Sequence, residues 1–392
     1  MPMPMPMPMP HDTVRHRYLL LAAGGLSLLA GLDAALLRLG VWAPVSGEFA
    51  AHLPGRHGIL MVLGFLGTLI ALERAVALRE PWGYAAPACS GAGGASLALG
   101  VPVPFGAVLL VDGTVLLLLV YAALYRRRKD TTVAVEALGA LAALAAALLW
   151  MRIDVPHLLP WLATFVIATI AAERVELARI HLPAHSADIM LALVLGLIAT
   201  STATLLIGDL GARAFGLVQL VIVGWLGHHD IARRTVHGSG LPRFSAAAML
   251  LGYGWLAVAG AIWLVAGRPS DNTTYDIAVH ATFLGFAMSM VFAHAPVILP
   301  GVVRRPLPYH PAMWALLAVL HLGLAIRVVG ALATNINVWT IGSVVTVIAL
   351  AVFPPSMIAL SAIGGRTRPS PGHTPRPASP AHTPTSQESS PR

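Results

Sequence analysis

Charge is scarce in this chain and thiols nearly absent. Only 11% of its 392 residues are Asp, Glu, Lys or Arg, while 57% are apolar, a balance that a water-soluble domain of this size does not sustain. The single cysteine, Cys89, excludes an internal disulfide and leaves no thiolate cluster to hold a metal. Also missing are a Gly-rich nucleotide loop, a His-Glu-x-x-His zinc motif and a serine-nucleophile elbow, so hydrolase chemistry has no support. The first apolar run lacks a small-residue cleavage site, and no cleavable signal peptide is expected.

What the chain does have is apolar sequence in blocks of about 20 residues, the length that crosses ~30 Å of hydrocarbon. The expectation is an all-α polytopic membrane protein with about 12 transmembrane helices. They fall near 18–38, 57–78, 84–101, 105–125, 132–151, 157–178, 187–208, 211–229, 244–266, 278–300, 311–330 and 337–361. Residues 1–16 open with five Met-Pro dipeptides, and proline at alternate positions forbids a helix, so a disordered leader is expected. Residues 364–392, rich in Pro, Ser, Thr and Arg, read as a disordered tail. The transmembrane domain is then 17–363.

An internal repeat organises that domain. His57 heads an apolar run that closes on Glu73-Arg74, and one hundred residues later His157 heads another that closes on Glu173-Arg174. Phe65 and Phe165, Ile70 and Ile170, Ala71 and Ala171, and Arg79 and Arg179 recur in register. A third apolar run is headed by His280. Self-similarity at a fixed period predicts a pseudo-three-fold arrangement of four-helix repeats, about 17–126, 127–235 and 240–363. Four spans per repeat restore orientation, so the three histidines are expected at similar depth near one surface.

Basic residues are segregated along the chain. With twelve spans, nineteen of the 25 Lys and Arg fall on the side that holds both termini. Positive charge accumulates on the cytoplasmic side, so both termini are expected in the cytoplasm, and the short loops suggest a bacterial plasma membrane. The net charge of +8 is thereby a topology signal with some attraction for the lipid bilayer, and calls for no nucleic acid.

A polar side chain in lipid is costly and marks function by default, and neutral imidazole is a common ligand of haem iron and copper. At ~100° per residue, His57 shares a face with Met61, Gly64, Thr68, Ala71 and Ala75. His157 shares one with Trp161, Thr164, Ala168 and Ala171, and His280 with Leu284, Ala287, Val291 and His294. Such seams of small residues let helices approach closely or leave room for a cofactor. A second set comprises His294, ~21 Å beyond His280 along the helix, with His228, His229, His310 and His321. It suggests a second metal site or a proton path. Interfacial histidines bonded to loops are the plainer reading of both sets. Glu73-Arg74 and Glu173-Arg174 are expected to pair with neighbouring loops, with proton uptake as the sharper alternative.

The run from His57 to Phe65, with Met61 and Gly64-Phe65, resembles the second-helix motif of the NnrS family of haem- and copper-containing membrane proteins. Leu251-Gly252-Tyr253-Gly254-Trp255-Leu256 is similar to that family's Gly-Tyr-x-Trp-Leu helix. His280 through Arg304-Arg305-Pro306-Leu307 to Leu324-Ala325-Ile326-Arg327-Val328 is similar to its tenth and eleventh spans. The chain departs from the family's His-x-His-Glu-Met pattern, with Ile59 and Leu60 where the second histidine and the glutamate would stand. A more distant likeness is to the catalytic subunit of haem-copper oxidases. There, helices equivalent to those of His57 and His280 hold a low-spin haem, and a helix equivalent to that of His157 supplies a copper ligand. The adjacent histidine pair of that copper site is absent from 201–210, and position 278 is Ala where the second haem's ligand would be.

The resemblance implies a membrane protein with haem b between His57 and His280, and His157 as a nearby metal or haem-propionate contact. Copper is the second metal implied. The expected role lies in nitric oxide handling, nitrosative stress or respiratory redox chemistry, with an unidentified redox partner. The rival expectations are a transporter or copper permease whose histidines relay protons or metal, and a cofactor-delivery factor.

Overall fold

The structure is a computed structural model that describes residues 12–366, and every element in that range is helical. The Met-Pro stretch and most of the Pro/Ser/Thr tail lie outside the described residues. Helix already begins at Asp12 and persists to Arg366, so it takes in residues that composition assigned to the leader and tail.

In chain order the helices are α1 (Asp12–Leu39), α2 (53–78), α3 (Ala85–Ala98), α4 (Val103–Arg128), α5 (Thr131–Trp150) and α6 (Val155–Leu177). Then follow α7 (Ser186–Leu206), α8 (Asp209–His229), α9 (Gly240–Ala266), α10 (Asn272–Val303), α11 (Ala312–Leu332) and α12 (Ile336–Arg366). A helical turn, Ala232–Thr235, joins α8 to α9. Among the described residues eleven helices are long and apolar enough to cross a membrane, which makes this a helical multi-pass membrane protein.

The exception is α3, which keeps 14 residues of the expected 84–101 span. Its sequence is mostly Ala, Gly and Ser, and it stops where Gly100 takes φ +80° ahead of Pro102. Its last carbonyls are met from in and just before the start of α2: Arg56 donates to Leu97 O (2.8 Å) and, past the helix end, to Val101 O (3.2 Å), and His52 Nε2 donates to Ala98 O (3.2 Å). Two other helices begin on a carboxylate cap. Asp130 accepts from Thr132 N at the head of α5 and Asp271 from Thr274 N at the head of α10.

Helix neighbours recur in order. The first helix of each successive group of four packs on the second and third, the second on the third and the third on the fourth. The fourth packs on the first of the next group: α4 on α5, α8 on α9, and α12 back on α1. In the middle α10 touches α2 and α6, while α2 and α6 meet through Gly58 and Val155 and through an Arg74–Glu173 bond. These three helices are the most enclosed, with 67, 83 and 61% of their apolar stretches buried against 28–56% for the other candidate spans.

Two of the three share a further feature. Residues Leu60–Leu66 of α2 and Ala281–Ala287 of α10 are π-helical, each beginning within three residues of a histidine, His57 or His280. A π segment carries an extra residue per turn, rotates the faces beyond it, and is frequent at functional sites. Helix α6 has none and instead carries Pro160.

Candidate functional site

The small-residue seam of α2 packs on its neighbours. A Cβ at Gly31 would come 2.6 Å from Met61 Sδ, and one at Gly94 would come 2.9 Å from Gly64 Cα. Glycine at position 31 therefore brings α1 close enough for its carbonyl to accept a hydrogen bond from His57 Nδ1 at 2.8 Å. That bond fixes the tautomer, placing the proton on Nδ1 and the lone pair on Nε2. No bond to His57 Nε2 occurs among the described residues.

His280 repeats the device on α10. Its Nδ1 is 2.8 Å from the main-chain oxygen of Asp276 and 3.2 Å from Asp276 Oδ1, and both are acceptors. Again Nδ1 carries the proton and Nε2 keeps a free lone pair. The Asp276 carboxylate is itself anchored from three sides. Arg327 Nη2 meets Oδ1 (2.5 Å) and Arg327 Nε meets Oδ2 (2.9 Å), while Trp339 Nε1 donates to Oδ2 (3.0 Å). The guanidinium lies 5.1 Å from the centre of the Trp339 ring. An imidazole held at Nδ1 by a carboxylate is the arrangement that orients metal-ligating histidines.

The two imidazoles share one electrostatic neighbourhood. His57 lies within charge–charge reach of His280, Arg38 and Arg327. Arg38 is exposed at the end of α1 and makes no salt bridge among the described residues. The crevice lined by Leu159, Ala163, Trp263, Ala278, Val279, Thr282 and Phe283 includes neither histidine and has no room for even a water molecule, far from the ~300–1,000 Å³ of ordinary small-molecule sites.

His157 stands apart. It is exposed, two residues into α6, and its ring makes no hydrogen bond among the described residues. The expected equal depth of the three histidines meets unequal helix starts. His57 is four residues past Leu53 and His280 eight past Asn272, because the polar run from Asp271 to Thr274 begins α10 earlier than its apolar stretch suggests.

The second set is scattered. His321 accepts from Trp255 Nε1 at Nδ1 (2.9 Å) and reaches Ser289 Oγ with Nε2 (3.2 Å), so both ring nitrogens are engaged. A Cβ at position 285 would come 2.5 Å from Trp255, so glycine there admits the indole. His229 stacks on Trp225 and donates from Nδ1 to its carbonyl; His228 and His310 are exposed. Among the described residues no three His, Cys, Asp or Glu side chains gather as a metal site.

At the far end of α2 and α6 the Glu-Arg pairs divide: Glu73, Arg74 and Glu173 turn inward onto one another, correcting the expectation of loop partners, whereas Arg174 does meet a loop, through Asp230 just past the end of α8. Arg74 Nη2 donates to both Glu73 Oε1 (2.7 Å) and Glu173 Oε1 (2.9 Å). Its Nη1 faces Glu136 of α5, 3.0 Å from Oε1 but off the donor direction, and 3.3 Å from Oε2. Arg174 holds Asp230 with two nitrogens at 2.9 Å each, Tyr253 donates to the same carboxylate (2.6 Å), and His294 Nε2 is 3.5 Å from Arg174 Nη1. Burial pushes the Asp230 carboxyl up, but Arg174, Tyr253 and the Ala232 amide hold it below the usual carboxylate range. Of the charges at the end of α6, Glu173 thus reaches α2 and Arg174 the loop that follows α8.

Sequence reasoning passes over Asp276, Glu136, Asp230 and Trp339, and meets Arg327 only as part of a resemblance. A signal existed for two of them. Asp276 precedes His280 by four residues, one helical turn on the same face, and Glu136 is a lone carboxylate in an Ala-rich helix, where an ionisable group needs a partner.

No curated protein and no solved structure matches the chain. A family model described as "Domain of unknown function (DUF8744)" matches residues 17–362, every candidate span but the first few residues of α1 included, and the chain belongs to that family.

Proposed function

We propose that this protein binds a haem through His57 and His280 in a bacterial plasma membrane. One observation carries the reading. On two central, π-segmented helices, two imidazoles within electrostatic reach of each other each commit Nδ1–H to a carbonyl and keep Nε2 free. That is the donor set of a bis-histidine haem, which when bound supplies one-electron transfer. The support is the donor set and not a preformed cavity. Asp276 would orient His280, and Arg38, a cation without a salt bridge among the described residues, would attract an acidic edge of the ligand. The likeness to the NnrS family extends the proposal to nitrosative-stress or respiratory redox chemistry. No copper site is part of it.

The recurrent helix neighbours favour three four-helix repeats about a pseudo-three-fold axis, with α3 as a short twelfth crossing and both termini cytoplasmic. Impermeant thiol labelling of Lys129→Cys and Arg152→Cys, each in a Cys89→Ser background, should report opposite sides of the membrane. The haem assignment is tested by haem content after expression in haem-replete cells. About one haem per chain is expected, and a colourless protein contradicts it and favours the transport reading.

A further inference from the structure

Around Arg74 the charges do not balance. One guanidinium faces three carboxylates, Glu73 and Arg74 itself being on α2, Glu136 on α5 and Glu173 on α6. Side-chain exposure is 24% for Glu73, 10% for Glu173 and 0% for Glu136. The second arginine nearby, Arg174, is already committed to Asp230. Three ionised carboxylates would leave two uncompensated negative charges in a low-dielectric interior, where each costs several kcal/mol, about what protonation relieves. Two of the carboxylate oxygens, from Glu73 and Glu173, also sit on the same Nη2 nitrogen, and like charges that close do not both ionise readily.

An independent feature points the same way. The Tyr121 hydroxyl of α4 is fully buried, has no hydrogen-bond partner among the described residues, and lies within electrostatic reach of Glu136, Arg74, Glu173 and Glu73. Arg74 Nε is likewise unpaired. A buried hydroxyl without a partner calls for a water, and a water there would carry protons to and from the carboxylates. His294 on α10 and Glu176 and Arg174 on α6 are the further charged groups that face the cluster.

We infer that Glu73, Glu173 and Glu136, gathered on Arg74, form a proton-loading site. A proton from water at the arginine-rich end adds to a carboxylate oxygen of the Glu73–Glu173 pair and leaves by the same bond breaking; no electron moves. The exposure gradient sets the order, with Glu73 as the entry, Glu173 sharing its proton, and Glu136 with Tyr121 innermost. This site is separate from the histidine pair, and its test needs no haem.

Infrared spectra of the full chain in lipid nanodiscs test it, recorded from about pH 5 to about pH 9 in H2O and D2O. The expected result is a carboxylic-acid C=O band that shifts in D2O, persists at neutral pH and declines as pH rises. Glu73→Gln and Glu173→Gln should each remove or move that titration, with helix content unchanged by circular dichroism. Absence of any protonated carboxyl band at neutral pH in the unmodified protein overturns the inference. So does a titration unchanged in both folded variants. Should a variant fail to fold, the spectrum of the unmodified protein decides alone.

Discussion

Asp276 and His280 stand one helical turn apart on α10, and the histidine's Nδ1 donates to the aspartate's carbonyl at 2.8 Å and lies 3.2 Å from its carboxylate. The aspartate cannot swing away, because Arg327 and Trp339 hold its other faces. Helices α10, α11 and α12 are thus tied together by the group that aims His280.

Breaking this tie at one partner should be costly. Asp276→Asn leaves the Arg327 guanidinium, 10% exposed, without its carboxylate, and removal of one partner of a buried pair costs about 3–5 kcal/mol. Replacing both, as Asp276→Leu with Arg327→Met, should recover much of the loss, since the unpaired charge is gone. Thermal unfolding of the single and double variants in detergent reads the difference.

Close backbone approach positions Arg327. A Cβ at Gly342 would overlap the Arg327 backbone nitrogen and come 2.6 Å from Gly323 O, whereas one at Gly254 meets nothing within 4 Å. Gly342→Ala should destabilise by about 1–3 kcal/mol or more by forcing α11 and α12 apart. Gly254→Ala should be neutral or slightly stabilising through helix propensity. Paired melting curves check the contrast.

Acid should weaken the Arg174–Asp230 junction. The folded Asp230 carboxyl titrates below its unfolded value of about 3.9. Its contribution is therefore fully present above that value and lost as pH falls through the folded pKa. Melting temperature should stay level for this pair down to about pH 5 and fall below about pH 4. In Asp230→Asn the stability at neutral pH should drop and this part of the acid decline should flatten. Tyr253→Phe, which removes one hydrogen bond to the carboxylate, should cost about 1.5–3 kcal/mol.

His157, although it opens the repeat most like that of His57, should be dispensable. Its ring is exposed and makes no hydrogen bond among the described residues, so His157→Ala should change stability by less than about 0.5 kcal/mol. Haem content should be unaltered. A loss of haem in this variant would place the ring at the site and revise the helix arrangement around it.

The contrast between His157 and His280 shows how far sequence carried. Long apolar runs bounded by a cap or a proline gave helix ends to within a residue or two, as at Asp130 before α5 and Pro156 in α6. Apolarity fixes such runs locally. Equivalent places in the repeat did not give equivalent surroundings, since His157 is exposed while His57 and His280 each have Nδ1 bonded to a carbonyl. Nothing in the periodicity of Leu60–Leu66 announces a π segment, since its extra residue is accommodated by packing. The Glu-Arg pairs were legible as a repeat but not as each other's partners, for their meeting depends on α2 and α6 both being central. Length failed at α3, where small residues pack well with too few turns to fill the expected span.

The central claim is that the free Nε2 atoms of His57 and His280 take one iron between them. Visible and near-infrared magnetic circular dichroism of the purified, haem-loaded protein tests it most directly. The account predicts a low-spin bis-imidazole signature that is lost in both His57→Ala and His280→Ala and kept in His157→Ala and His321→Ala. A signature that survives either of the first two substitutions in folded protein, or an unmodified protein that binds no haem, would contradict it.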